Sequence, residues 1–352
     1  MEEVPCDLCD SDQSTITYRI NVVESNMRYY RYARNVPDRE QMTGEQRIVT
    51  CSNCGLIYTN PRFSPGELQK VYSSDRIIGG NWKNFPYLFD SSQPDVFQSG
   101  QKSTSYNPGL YQWKFDIIQH YTGKKTKGIR LLDLGCGDGK FVHDALQRGY
   151  DARGIDLSPD RIRKGREVFG LDEERLRCMN ADDFSSEDQF DVIVMWDIIE
   201  HVGSPASILQ SIKKICHPRT LVFILTMSVD SITYKLFGKN WNYVNPTQHL
   251  TYFSHRTMRE MLQKSGFQLM GVEMDDSRRK NVIHLVARIL LGQANRFFFY
   301  VYTRKNFLRK LFRPFQGEIT DERMHIRLEN LYPGSYIGRY HDNFVFVSKP
   351  EK

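Results

Sequence analysis

Between residues 129 and 274, short apolar runs alternate with stretches in which apolar residues recur at helical spacing. The runs are 129–134, 151–156, 176–180, 190–196, 220–226 and 267–274, with a last one at 342–348. Each is about the length of one strand, and the near-continuous Leu, Val and Ile content suits strands covered on both faces. Helices are expected between them. Phe141, Val142, Ala145 and Leu146 follow the first run at helical spacing, and Ser158-Pro159 supplies an N-cap with a first-turn proline. Residues 204–216 make the next helix, and Met258, Met261 and Leu262 mark the buried stripe of another that Gly266 ends. Strand–helix alternation of this kind predicts an α/β fold with a doubly wound sheet.

The first run passes directly into glycines at 135, 137 and 139. A strand, a glycine turn and a helix bring backbone N–H groups to a ligand with no Cβ in the way. The spacing is G-x-G-x-G, whereas a dinucleotide-binding turn reads G-x-G-x-x-G. Charge separates the two more sharply. Asp133 ends the strand and Asp138 lies in the turn, and carboxylates at short range repel a pyrophosphate. A phosphate-free ligand with a cationic end fits better, as S-adenosylmethionine does with its sulfonium, its ammonium and its ribose diol.

Later elements extend this reading. Asp156 ends the second run, beside Leu157, where its carboxylate can accept from both ribose hydroxyls. Asp182 and Asp183 follow the third run, placed to accept from an adenine amino group, and Trp196 or Ile198 can flank the ring. With LLDLGCGDG at 131–139, GIDLS at 154–158, NADDF at 180–184 and FDVIVMWDIIEHV at 190–202 in this order, the chain resembles the class I S-adenosylmethionine-dependent methyltransferases. The resemblance implies a Rossmann-like seven-stranded sheet whose closing strand, near 342–348, is antiparallel at the sheet edge. It also implies a cofactor site built from Asp133, Gly135, Cys136, Gly137, Gly139, Asp156, Leu157, Asp182, Asp183 and Trp196.

Cys6-x-x-Cys9 and Cys51-x-x-Cys54 are two knuckles of the type that supply four thiolates to a structural zinc ion. The separation between them exceeds the usual ribbon spacing, so 15–48 is expected to be an elaborated ribbon with a strand near 16–20. Four thiolates leave no open position for chemistry. The phrase CGLIYTNPR at 54–62 is similar to one closing the zinc-ribbon segment of certain methyltransferases acting on sugars or natural products. The expected organisation is a zinc-ribbon domain over 1–62, a helical linker or lid over 63–121 with a helix at 108–120, and a cofactor-binding domain over 122–352.

Asp197, Glu200 and His201 sit at i, i+3 and i+4, which on a helical turn puts them on one face. Quinone-biosynthesis O-methyltransferases and plant-type small-RNA 2′-O-methyltransferases carry a similar acid-x-x-Glu-His element and a later histidine. That resemblance implies a divalent metal at Asp197, Glu200, His201 and His249, although the first acid there is typically glutamate. The alternative roles are hydrogen bonding around the cofactor for Glu200 and His201, and general-base catalysis by His249 or Tyr252.

The chain has 352 residues with 48 Lys and Arg against 42 Asp and Glu, and seven cysteines. No apolar window is long enough for a membrane span, the acidic start is unlike a signal peptide, and seven cysteines without a secretion signal suit a reducing, cytoplasmic setting. Residues 277–317 carry ten Lys and Arg and no Asp or Glu, so this stretch holds +10 of the net +6 and the remainder is −4. Interleaved Phe, Tyr, Leu and Ile there (within a 277–341 insertion) fit an amphipathic surface on an anionic membrane, as at the inner face of a cell membrane, or a lipid-linked acceptor. They fit nucleic acid less well, and the plain alternative is a helical insert whose apolar side packs on the domain with Arg and Lys in solvent. The combined expectation is transfer of a methyl group to an oxygen or carbon of a small, sugar- or lipid-linked acceptor, with RNA 2′-O-methylation or a non-catalytic cofactor-binding module as the alternatives.

Overall fold

The computed structural model describes residues 1–21, 45–64, 66, 111–123, 126–183, 189–241, 243–274 and 342–351. Most of the expected linker and the whole 277–341 insertion lie outside the described residues. A seven-stranded sheet forms the centre. It is built from β4 (Arg130–Leu134), β5 (Asp151–Asp156), β6 (Leu176–Cys178), β7 (Phe190–Trp196), β8 (Cys216–Met227), β10 (Phe267–Met274) and β11 (Asn343–Pro350). Their order is β10-β11-β8-β7-β4-β5-β6. Pairings from β8 to β6 are parallel, and β11 runs antiparallel to both of its neighbours. The closing strand is therefore not at the edge, as expected from the sequence. It is inserted between β8 and β10, where both of its hydrogen-bonding sides are satisfied, and β10 takes the edge.

Alternation along each strand sends side chains to two faces. On one face Leu131, Val192, Val194, Phe223 and Val345 meet helices α1 (Gln112–Thr122), α2 (Lys140–Gln147) and α3 (Pro159–Phe169). On the other, Leu132, Ile193, Met195, Ile224 and Phe346 meet α4 (Pro205–Lys214) and α6 (His255–Lys264). The short helix α5 (Ile232–Phe237) lies in the loop after β8. As the sequence predicts, Ser158 caps α3, and Met258, Met261 and Leu262 are fully buried; Ser204 caps α4. In α1, Lys114, Phe115 and Ile118 are buried, while Trp113 and Ile117 are only half-buried.

The N-terminal segment makes a second, antiparallel sheet of β1 (Ser14–Asn21), β2 (Glu45–Cys51), β3 (Ile57–Thr59) and β9 (Thr251–Tyr252). Its last strand comes from the loop between β8 and α6, with Ile57 opposite Tyr252 and Tyr58 opposite Thr251. Cys6, Leu8, Val49, Leu56 and Tyr58 enter the same core as α4, α6 and the main sheet. Ribbon and sheet thus share one hydrophobic interior on that face.

Helix α3 approaches the glycine turn closely, and Gly165 is what permits it. A Cβ there would fall inside contact distance of the backbone carbonyl of Asp138, which has no side-chain freedom with which to yield. Gly→Ala in a helix ordinarily stabilises by about 1 kcal/mol. Here Gly165→Ala is expected instead to destabilise the protein by about 1–3 kcal/mol, the usual range for overpacking. Urea denaturation of both proteins measures the sign, and a stabilised variant would refute the contact.

Candidate functional site

Strand order reverses between β4 and β7, and in open α/β sheets the ligand crevice lies at the carboxyl ends of the strands at that point. Two turns built from β4 and β5 meet there. Gly135 has φ +77°, and a Cβ on it would collide with the Ile198 side chain, so both its conformation and its neighbour require glycine. The N–H groups of Gly135 and Cys136 donate to Ile155 O at 2.8 and 2.9 Å, which ties this turn to β5. Asp156 completes the link. Its Oδ2 accepts from Gly137 N at 2.9 Å and its Oδ1 from Ser158 N at 2.9 Å. Each oxygen keeps lone-pair capacity for a further donor.

Asp133 is 2 % exposed, at the end of β4. Burial pushes its carboxyl up to about 7, Asp156 and Asp138 add to the rise, and the Lys114 ammonium opposes it. Asp138 is also raised, chiefly by burial, against the pull of Arg161, and its Oδ1 accepts from Lys140 N at 3.3 Å. Burial, with these carboxylates adding to it, likewise keeps the Cys136 thiol protonated. Gly139 starts α2 with no side-chain cap. The turn thus gathers three carboxylates, with Lys114 acting on Asp133 and Arg161 and Lys140 on Asp138.

The other expected cofactor residues are spread around this turn. Leu157 is exposed beside Asp156, and Asp182 lies in a 3₁₀ turn at Ala181–Asp183. Exposed Asp183 accepts from Asn180 N at 3.3 Å, closing that turn. Trp196 faces α1 rather than open solvent. Its ring meets Phe141 edge-on at 5.5 Å and Trp113 at 6.4 Å.

Lys114 was not anticipated from the sequence. Its ammonium stands over the rings of Trp196 at 4.6 Å, Tyr111 at 5.1 Å and Trp113 at 5.6 Å, while acting electrostatically on Asp133. A buried cation among aromatic faces is a stable arrangement. The available signal is a charge on the apolar stripe, since Tyr111, Lys114, Phe115 and Ile118 fall at i, i+3, i+4 and i+7.

A second cluster lies where β7 and β8 lead into their loops. Glu200, His201 and His249 present ligand atoms within 4.8 Å of one another. Glu200 is 2 % exposed, and its Oε2 accepts from Thr226 Oγ1 at 2.9 Å. His201 Nδ1 lies 2.9 Å from Gln248 O, and His249 Nδ1 lies 2.6 Å from Tyr243 O. A carbonyl can only accept, so each Nδ1 carries the proton and each Nε2 keeps its lone pair. Burial raises Glu200 to about 8, with Asp197 adding, and lowers His201 to about 4 and His249 to about 3.

Two expectations for this region change. Residues 197–201 are a turn closed by His201 N on Ile198 O at 2.9 Å, not a helical turn. Asp197 has φ +57°, is exposed, and does not join the three clustered ligands. Tyr252 is 1 % exposed on β9, where its hydroxyl accepts from Asn245 N at 3.2 Å.

The four knuckle cysteines converge. Cys6 Sγ and Cys54 Sγ are 3.4 Å apart, Cys9 Sγ and Cys51 Sγ 3.5 Å, and all four sulfurs lie within 4.8 Å of one another. Zn–S bonds of about 2.3 Å in a tetrahedron put sulfurs about 3.8 Å apart, so the set fits a Cys₄ metal. The separations exclude disulfides, and the cysteines are free.

The perturbed groups predict a pH dependence. Glu200 stays protonated in the fold up to about pH 8, whereas the unfolded chain releases that proton near its ordinary value of 4.5. The folded state binds more protons in that window, so stability falls as pH rises through it. His201 and His249 act oppositely, but only between their lowered values and about 6.5. In urea titrations of metal-free protein, Glu200→Gln should therefore gain stability relative to wild type by at least about 1.4 kcal/mol between pH 5 and pH 8. A difference independent of pH would show that Glu200 is ionised throughout.

Comparison with known proteins bears on this geometry. A family model described as "Methyltransferase domain" matches residues 106–271. The ubiquinone biosynthesis O-methyltransferase of Aeromonas salmonicida is 33% identical over 127 residues, 35% of this chain and 51% of that protein. That of Leptothrix cholodnii is 31% identical over 128 residues, 35% of this chain and 52% of that protein. The chain thus spans about half the length of these curated relatives. Among solved structures, Haemonchus contortus phosphoethanolamine N-methyltransferase 2 in complex with S-adenosyl-L-methionine superposes with TM-score 0.49 at 19% identity, covering 84% of this chain and 62% of that one. Residues 106–271 match a methyltransferase-domain family model, and with the seven-stranded sheet and the acidic glycine turn this supports a class I S-adenosylmethionine-dependent methyltransferase.

Proposed function

We propose that the protein transfers the methyl group of S-adenosylmethionine to an oxygen or carbon of a small acceptor, sugar- or lipid-linked in class. The carrying observation is the Asp156 carboxylate, oriented by two backbone N–H groups from two turns and still able to accept from a diol. Bound there, the cofactor would supply an electrophilic methyl on a sulfonium. Asp156 holds the ribose in this reading. Asp133 and the Lys114 ammonium act on the methionine end, the first toward its ammonium and the second toward its carboxylate. The enzyme contributes position and exclusion of water more than bond chemistry.

The acceptor side of the proposal rests on Glu200, His201 and His249. Three donors converge, two of them imidazoles whose Nδ1–H groups are anchored on carbonyls, the outer-shell arrangement typical of metal ligands. This supports a divalent metal there over a general base. A neutral imidazole held far below its ordinary value takes up a proton poorly, yet offers its lone pair to a cation. Asp197 is left out of the ligand set. The curated relatives act in ubiquinone biosynthesis, which supports a hydroxyl oxygen on a small, apolar-tailed acceptor. The basic run at 277–317, outside the described residues, agrees with an acceptor at an anionic lipid surface. The four convergent thiols support one structural zinc per chain.

Calorimetry with S-adenosylhomocysteine tests the carrying observation. Asp156→Ala should weaken binding at least about thirtyfold, since it removes a charged partner of two hydroxyls (about 2 kcal/mol or more). Glu200→Ala should bind the product normally yet lose transfer of labelled methyl to phenolic or sugar acceptors. Unchanged affinity in Asp156→Ala would contradict the cofactor site.

A further inference from the structure

The ribbon does more than sit beside the methyltransferase domain: it touches both loops that carry the acceptor-side cluster. Thr59, the last residue of β3, is wholly buried and donates from its Oγ1 to His249 O at 3.0 Å. Its N–H donates to Leu250 O at 2.9 Å. One residue further on, Leu250 N and Thr251 N donate to Glu200 O at 2.7 and 3.2 Å. A chain of backbone bonds therefore runs from the ribbon sheet through 249–251 to Glu200.

The first knuckle grips the other side of the same loop. Asp7, between Cys6 and Cys9, accepts from Ser204 Oγ at 2.6 Å and from Ala206 N at 2.8 Å, which caps α4 just after His201. Both knuckles are held from α6, where Arg256 donates to Cys54 O at 2.6 Å and Lys264 Nζ donates to Asp7 O at 3.0 Å. Ile199 lies in the same core as Cys51, Leu56 and Tyr58. No comparable set of contacts joins the described ribbon residues to the glycine turn or to Asp156.

We infer that the four-cysteine ribbon is a clamp that sets the register of the 197–204 and 243–252 loops, with Thr59 and Asp7 as its positioning residues. Loading its metal would then fix the imidazoles of His201 and His249 and leave cofactor affinity untouched. This rests on the reading of Glu200, His201 and His249 as the acceptor-side cluster, but its test does not require turnover.

The test is diethyl pyrocarbonate labelling of the full-length protein, mapped by mass spectrometry, with zinc content and S-adenosylhomocysteine affinity measured on the same samples. In wild type holding one zinc in the ribbon and no metal at Glu200, His201 and His249, these two imidazoles should label slowly. Thr59→Val, which removes the hydroxyl donor, and chelator-stripped wild type should each label at these two residues at least threefold faster. Labelling of exposed His120 and cofactor affinity should stay constant. Thr59→Ser, which restores the donor, should return labelling to the wild-type rate. Equal labelling in wild type, Thr59→Val and stripped protein would overturn the clamp. So would a parallel loss of cofactor affinity, which would mean general loosening. Wild type that fails to bind S-adenosylhomocysteine would refute the cofactor reading, while the labelling comparison would still decide the clamp.

Discussion

One carboxylate joins the two turns on which the site depends. Asp156 leaves β5 and takes the Gly137 N–H with one oxygen and the Ser158 N–H with the other. The glycine turn and the start of α3 are thereby fixed to the same group. Charge-assisted bonds of this kind are stronger than neutral ones, and here they orient a side chain that faces a crevice. Around it lie Asp133 and Asp138, both raised mainly because their surroundings lack water. An anionic ligand in this turn would meet three carboxylates. A cationic one would relieve their mutual repulsion and restore the charge that burial disfavours.

The second half of the site is built on a different principle. Glu200, His201 and His249 come from two loops distant in sequence, and long-range backbone bonds bring them together. The cofactor turn belongs to one β–α–β unit and is held locally. The Glu200, His201 and His249 cluster has no such unit, and its loops are tied instead to the ribbon through β9 and Thr59. Four convergent thiols suit that purpose, since in modules that bind a metal through such a set, metal binding and local folding are one event.

How much of this can be read from residues alone follows from the range of the interactions. The strands, the capped helices and the acidic turn are legible because hydrophobic period, serine caps and glycine spacing are local signals. Both knuckles are legible for the same reason. By contrast, β9 has two residues, and nothing near Thr251 announces a partner at Tyr58. The position of β11 between β8 and β10 is equally non-local. Lys114 was missed because a charge among aromatics reads as solvent-facing until the helix stripe is placed. Asp197 misled because i, i+3, i+4 spacing implies a shared face only in a helix, and a left-handed residue there makes a turn instead.

The central claim is that a carboxylate-rich, phosphate-averse turn selects a sulfonium nucleoside. Parallel calorimetric titrations of the intact protein with S-adenosylmethionine and with NAD address it directly. The account predicts saturable one-to-one binding of S-adenosylmethionine and no detectable heat of binding for NAD. Preference for NAD, or indifference to both, would contradict it.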